Sequence, residues 1–246
     1  MATSLCILNN DTLDPAAAPT YINYGVMVEK LLRQAGASDW NVEVFDATAQ
    51  QYPDSFDRFD AVLLTGSKYD SFSDEPWVVE LRRRVRTLLT QKKKLVGICF
   101  GHQLIAYCMG AKVGRSDKGW GTGRMTYEWK EPGFPGANGR TQVSLLASHQ
   151  DQVLELPAGA RLVATSDFCP VAAYAKGNEV FCVQAHPEFV PDYSSFLIKR
   201  RRGSWTDEKV DKALASLEQG HEGDAIARMI IAFVEGRSTA ALAQAA

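Results

Sequence analysis

Two short segments carry residue types able to do acyl-transfer chemistry. Leu95-Val-Gly-Ile-Cys-Phe-Gly-His-Gln103 sets a cysteine between glycines where an apolar, strand-like run gives way to a helical one, the setting of a nucleophile elbow. Gly97 and Gly101 remove side chains that would collide with neighbouring strands in so sharp a turn, so Cys99 projects alone. A helix start places positive potential and free backbone N–H groups beside the sulfur, which favours thiolate at neutral pH. Val183-Gln-Ala-His-Pro-Glu188 adds an imidazole and a carboxylate at the end of another apolar run. Pro187 fixes its own φ and keeps His186 extended. His186 and Glu188 are then expected on one side, the carboxylate accepting the imidazole N–H and setting its tautomer. A lone cysteine ending a buried strand is ordinarily structural; the flanking glycines and the second segment argue for the nucleophile.

The elements that would hold these residues are readable from periodicity. Thr3 to Leu8 reads as a buried strand followed by a proline-containing surface loop from Asn9 to Pro19. Apolar positions from Tyr24 to Ala35 repeat at helical spacing within a helix expected over Tyr21 to Ala35, with Gly36 as its stop, and Asn41 to Phe45 is a strand. Phe59 to Leu64 is a strand releasing into the tight loop Thr65-Gly66-Ser67. A helix capped by Ser73 or Asp74, with Pro76 in its first turn, precedes the strand Leu95 to Ile98 and a short helix from His102 to Met109. Such alternation predicts an α/β fold with a doubly wound, mostly parallel sheet flanked by helices.

Between Lys112 and Gln184 short strands and turns predominate, which predicts a small β-rich extension. After Glu188 the chain reads as a C-terminal helical segment, with Asp192 and Thr206 as caps and Ile226, Met229, Ile230 and Phe233 on a last amphipathic helix. One domain is expected over residues 1–246: a core to about residue 190, helices over 191–236, and a fraying tail over 237–246.

GICFGHQ followed downstream by AHPE resembles the class I glutamine amidotransferases, whose catalytic domain uses a Cys-His-Glu triad. The resemblance implies Cys99 as nucleophile, His186 as base and Glu188 as its orienter. It also implies an oxyanion hole from the backbone N–H groups of Gly66 and Phe100, although Thr65 departs from the usual glycine pair. Gln103 sits where that family contacts glutamine, and Ser148-His149-Gln150-Asp151 resembles the loop that recognises the substrate's amino-acid end. Taken alone, Gln103 reads as an ordinary helix residue and His149 as a loop residue; His102 should turn away from the pocket and His221 reads as a solvated loop residue. CFGHQ with KVGRSDKGW and HPEF is similar, more loosely, to stand-alone members related to γ-glutamyl peptidases and to the glutaminase domain of GMP synthase.

Composition narrows the remaining classes. The 246 residues are 46% hydrophobic and 23% charged, which suits a soluble globular chain. A formal net charge of −2 gives no global reason to expect nucleic acid or an anionic membrane as partner. The runs Lys92-Lys-Lys94 and Lys199-Arg-Arg-Arg202 read as solvated faces beside helix ends. The five cysteines lack paired spacing, which fits reduced thiols and a cytoplasmic location. No metal-ligand spacing is present, and Gly119-Trp-Gly-Thr-Gly123 lacks the setting of a dinucleotide fingerprint, so neither metal nor nucleotide cofactor is expected.

The expected partner is a small γ-glutamyl substrate or glutamine. Residues 189–246 hold three short helices, short of the ~100–150 residues of a further catalytic domain, so hydrolysis of a γ-glutamyl amide or peptide without a fused synthetase is expected. A glutaminase subunit passing ammonia to a separate synthetase uses the same residues, and a non-catalytic binding protein on the same fold is a third reading.

Overall fold

In the computed structural model, which describes residues 2–237, strands and helices alternate through the first half of the chain. β1 (Ser4–Asn9), β2 (Asn41–Asp46), β3 (Ala61–Leu64) and β4 (Lys94–Ile98) pair in parallel in the spatial order β2-β1-β3-β4. Between them run α1 (Ala18–Tyr21), α2 (Tyr24–Gln34) and α3 (Pro76–Thr90), and α4 (Phe100–Cys108) leaves β4 with Cys99 alone at the junction.

The β-rich segment continues this sheet. It comprises β5 (Val113–Arg115), β6 (Gly121–Trp129), β7 (Gln142–His149), β8 (Asp151–Val153), β9 (Arg161–Thr165), β10 (Ala173–Lys176) and β11 (Val180–Val183). β11 lies parallel to β4, and β10, β9, β6 and β7 follow in antiparallel order to complete nine strands. β5 and β8 form a separate two-stranded ribbon. What reads from sequence as a small extension is therefore the antiparallel half of one sheet.

Alternation along each strand feeds two cores. In β4, Leu95 faces the layer of α3 and α4, whereas Val96 and Ile98 face the layer of α2 and a late helix, α7 (Gly223–Glu235). α7 is thus part of the main core, burying Ile226, Met229, Ile230 and Phe233. Lys94 Nζ reaches its last turn, donating to the carbonyls of Phe233 and Val234 at 3.2 and 2.7 Å. A third cluster holds α1, α5 (Pro191–Lys199) and α6 (Asp207–Ser216) against Tyr24 and Leu146.

Several boundaries differ from the sequence expectations for physical reasons. The chain breaks at Ile22, whose φ is +62°, and α2 restarts at Tyr24 because the Asn23 side chain accepts the Val26 N–H at 2.8 Å. At α3 and α5 a proline at the first helical position does what a polar cap was expected to do: the N-cap residues are Glu75 and Val190, and neither makes a side-chain cap bond. Thr206 caps α6 as read, accepting the Lys209 N–H at 3.3 Å. The segment after β1 is not a surface loop at its start, since Asn9, Asn10 and Asp11 are all buried. His221 is half-buried and accepts the Gly223 N–H at 3.2 Å. The expected tail lies outside the described residues from 238 onward.

The tightest approach in the sheet–helix packing is at Gly101. A Cβ there would lie 2.3 Å from the Leu64 carbonyl oxygen, and one on Gly97 would lie 2.7 Å from the Gly101 backbone. Strand ends and helix start thus touch backbone to backbone. Gly101→Ala is expected to lower stability in urea denaturation by about 1–3 kcal/mol or more, because a backbone oxygen cannot swing aside. Gly133→Ala, which meets no atom within 4 Å, should stay within about 0.5 kcal/mol of the parent; equal losses at both positions would refute this account.

Candidate active site

Three adjacent parallel strands, β3, β4 and β11, end side by side, and each releases one chemical group at its carboxyl end. β4 releases Cys99. β11 releases the segment Gln184 to Glu188. β3 releases Thr65 and Gly66. The pairing extends past the strands: the Cys99 N–H donates to the Val183 carbonyl at 2.9 Å, and the Gly101 N–H donates to the Thr65 carbonyl at 3.2 Å. This adjacency brings together segments remote in sequence.

Cys99 occupies φ +51°, ψ −102°, a conformation rare for a residue with a side chain. Such strain at a strand–helix junction presents the sulfur to the cleft above the strand ends. Phe100 is the first residue of α4, so its N–H has no acceptor within the helix. Its ring is buried and stacks on Trp77 at 5.6 Å.

His186 is buried and held on every side. Its backbone N–H donates to the Leu146 carbonyl at 2.9 Å, its Nδ1 lies 2.8 Å from Glu188 Oε1, and its ring stacks on Phe189 with centroids 3.8 Å apart. Gly66 completes the enclosure: a Cβ there would stand 2.6 Å from His186 Cε1 and 3.6 Å from Cys99 Cβ. The glycine is therefore what allows the backbone of the loop after β3 to lie against imidazole and cysteine together.

The three buried histidines differ in charge preference. Burial alone would drive the proton off His186, but the negative charges of Glu188 and Cys99 outweigh it and raise its pKa to about 10. His149 is pushed down to about 4 by burial and then by the charge on His186. His102 is pushed down to about 3 by burial and by His149; it packs on Tyr174 at 4.9 Å, outside the residues that line the cleft. One cation among three imidazoles is thus selected by the carboxylate and the cysteine beside it.

The cleft encloses about 170 Å³ and is lined by Cys99, Gln103, Ser148, His149 and His186 among others, so the structure gathers the sequence-predicted residues around one opening, with Gly66, Phe100 and Glu188 immediately behind it. Gln103 is more constrained than expected. Its Nε2 donates to the Asp151 carbonyl at 2.8 Å and to Gln184 Oε1 at 3.2 Å, tying α4 to β8. Ser148 and His149 end β7 rather than lying in a loop. The other four cysteines are poor nucleophiles: burial pushes Cys6, Cys169 and Cys182 up to about 12 and Cys108 to about 11.

Sequence reasoning missed the layer beneath the site. The Asn10 backbone donates to Thr65 Oγ1 at 2.9 Å and its side-chain amide to the Thr65 carbonyl at 3.0 Å, so Thr65, the departure from a glycine pair, is the hydrogen-bonded post that fixes Gly66. Asp11 anchors the same loop by accepting the Lys68 N–H at 2.8 Å. Tyr24 packs on Phe189 at 5.6 Å and accepts from Tyr193 at 2.9 Å. Phe189 had a legible signal, an aromatic residue directly after Glu188; Asn10 and Asp11 had none in a segment that reads as polar loop.

With this geometry in hand, the comparisons with known proteins agree. The sequence matches the family description "Glutamine amidotransferase class-I" over residues 21–199, and the chain belongs to that family. Gamma-glutamyl peptidase 3 of Arabidopsis thaliana is 33% identical over 205 residues, covering 79% of this chain and 82% of the relative. A subunit of the glutamine-hydrolysing GMP synthase of Saccharolobus solfataricus is 35% identical over 133 residues, covering 53% of this chain and 68% of the relative. A glutamine amidotransferase crystal structure from Thermotoga maritima shares the fold, with a TM-score of 0.77 at 17% identity over 96% of this chain and 99% of that one.

At neutral pH, iodoacetamide followed by peptide mapping is expected to modify Cys99 before the other four cysteines. Gly66→Ala, by displacing the imidazole, should slow that modification about tenfold; an unchanged rate would mean that the ring has room to spare.

Proposed function

We propose that this chain is a cysteine hydrolase that cleaves a γ-glutamyl amide or peptide bond through a γ-glutamyl thioester on Cys99. The observation that carries the reading is the placement of Cys99, in its strained elbow, beside an imidazole that Glu188 holds by a 2.8 Å hydrogen bond. The Cys99 thiolate attacks the γ-carbonyl carbon, and the N–H groups of Gly66 and Phe100 take the oxyanion. Collapse breaks the C–N bond as His186 gives its proton to the departing amine. Water, losing a proton to His186, then attacks the thioester, releasing glutamate and restoring the sulfur. Glu188 fixes the tautomer and balances the imidazolium without itself taking the proton.

Peptide hydrolysis is favoured over glutaminase service because the similarity to a γ-glutamyl peptidase runs over 79% of this chain and 82% of the relative. The similarity to a GMP synthase component supports a second reading, in which the same thioester chemistry supplies ammonia to a separate synthetase. Purified protein alone is expected to release glutamate from γ-glutamyl dipeptides and to form a thioester adduct visible by mass spectrometry; Cys99→Ala should lose both. Activity that stays negligible until a synthetase is added would select the second reading, and unchanged turnover in the variant would end the covalent mechanism.

The pH profile follows from the raised pKa of His186. The imidazolium that protonates the leaving amine persists below about 10 and is lost as pH rises through that value, so kcat/KM is expected to fall on the alkaline side there. Glu188 is the foremost influence raising this pKa, and Glu188→Gln should move the alkaline limb to lower pH. Coincident limbs in parent and variant would show that Glu188 does not hold the charge.

A further inference from the structure

The two walls of the cleft differ in how their charges are satisfied. On one wall Arg115 of β5 is ion-paired with Asp70 and with Asp151 of β8, each at 3.0 Å, beside Lys68, which pairs with Asp11 at 3.1 Å. Both cations there have an anion. Another part of the lining grows from the segment after His186: Phe189 stacked on the imidazole, Leu197 packed in the same cluster as Phe189, and Arg201 against Trp120.

Arg201 is the exception among its neighbours. Arg200 pairs with Asp14 at 2.8 Å, and Arg202 pairs with Asp207 and Asp211 at 2.8 and 2.7 Å. Among the described residues Arg201 has no ion pair and no side-chain hydrogen bond. Its guanidinium instead lies 4.1 Å from the Trp120 ring centroid and 5.7 Å from that of Trp205. The group is half-buried, and burial lowers its pKa with no acidic neighbour to oppose it. Indole stacking satisfies the face of a guanidinium and leaves its edge donors free to take a carboxylate as a fork. Trp120 also lines an adjoining cleft of about 400 Å³ that carries Lys209, Lys212 and Glu208, so the chain leaving this wall has room to extend.

The direction of proton transfer says which half of a substrate meets this wall. His186 must protonate the departing amine, so the leaving group lies toward His186 and Phe189, the side that bears Leu197 and Arg201. Building on the acyl-transfer reading above, we infer that Arg201, held against Trp120 and beside Trp205, binds a carboxylate of the leaving group. The substrates this selects are γ-glutamyl amino acids and peptides with a free carboxylate, ahead of glutamine and γ-glutamyl amines.

A minimal pair tests this: γ-glutamylalanine against γ-glutamylalaninamide, which differ only in that carboxylate. The parent protein is expected to favour the acid by at least tenfold in kcat/KM, mainly through KM, and Arg201→Gln should collapse the ratio while Arg201→Lys restores part of it. Equal losses on both compounds would overturn the inference, because they would place Arg201 on the glutamyl half; a ratio of one in the parent would overturn it as well. Calorimetry with Cys99→Ala separates this inference from the reading beneath it. Tighter binding of the acid by that variant upholds the subsite even if the parent hydrolyses neither compound, an outcome that would sink the proposed reaction alone; equal binding, or no binding of either, sinks the subsite.

Discussion

The structure depends on how closely α4 can approach the end of β3. Where most strand–helix junctions keep a side chain between backbones, here Gly101 rests on the Leu64 carbonyl and donates to that of Thr65. That contact seats the start of α4 against the end of β3, directly after Cys99 at its positive φ. The same closeness brings Gly66 against the imidazole. Three glycines thus share one task, to let backbone stand where side chains would otherwise fill space.

Electrostatics then distinguishes groups that geometry alone leaves equivalent. His102, His149 and His186 are all buried, and burial alone would leave all three neutral. Of these three, His186 is the one with a buried carboxylate at hydrogen-bond distance, and the cation it sustains in turn depresses its neighbour His149. A low-dielectric setting magnifies each of these influences, so Glu188, together with Cys99, decides which ring carries the proton.

Much of this was legible in the sequence because the elbow and the His-Pro-Glu turn are local: spacing alone tells how Gly97, Cys99 and Gly101 must bend, and how Pro187 presents its neighbours. The parallel, doubly wound character of the sheet near the site was legible for the same reason, through the alternation of apolar runs and helices. What could not be read depends on partners remote in the chain. Asn10 and Asp11 look like loop residues until Thr65 and Lys68 are set against them. The antiparallel strands look like an extension because nothing in β9 or β6 declares which edge it joins. The N-caps of α3 and α5 fall at Glu75 and Val190, not at Ser73, Asp74 or Asp192, because proline at the first helical position removes the need for a polar cap.

The wall carrying Trp120, Leu197 and Arg201 belongs to the approach to β6 and the α5 region, neither of which takes part in the close backbone contacts around Gly66, Gly97 and Gly101. On the reading proposed above, bond cleavage and choice of leaving group rest on different stretches of chain, joined through the Phe189 ring that stacks on His186. The strand ends tolerate almost no alteration, since their fit is measured in fractions of an ångström. Trp120, Leu197 and Arg201 are not among the atoms that those glycines approach. On that reading, a lineage carrying this architecture can change which leaving group it accepts through Trp120, Leu197 and Arg201 while the glycine contacts at the strand ends stay as they are.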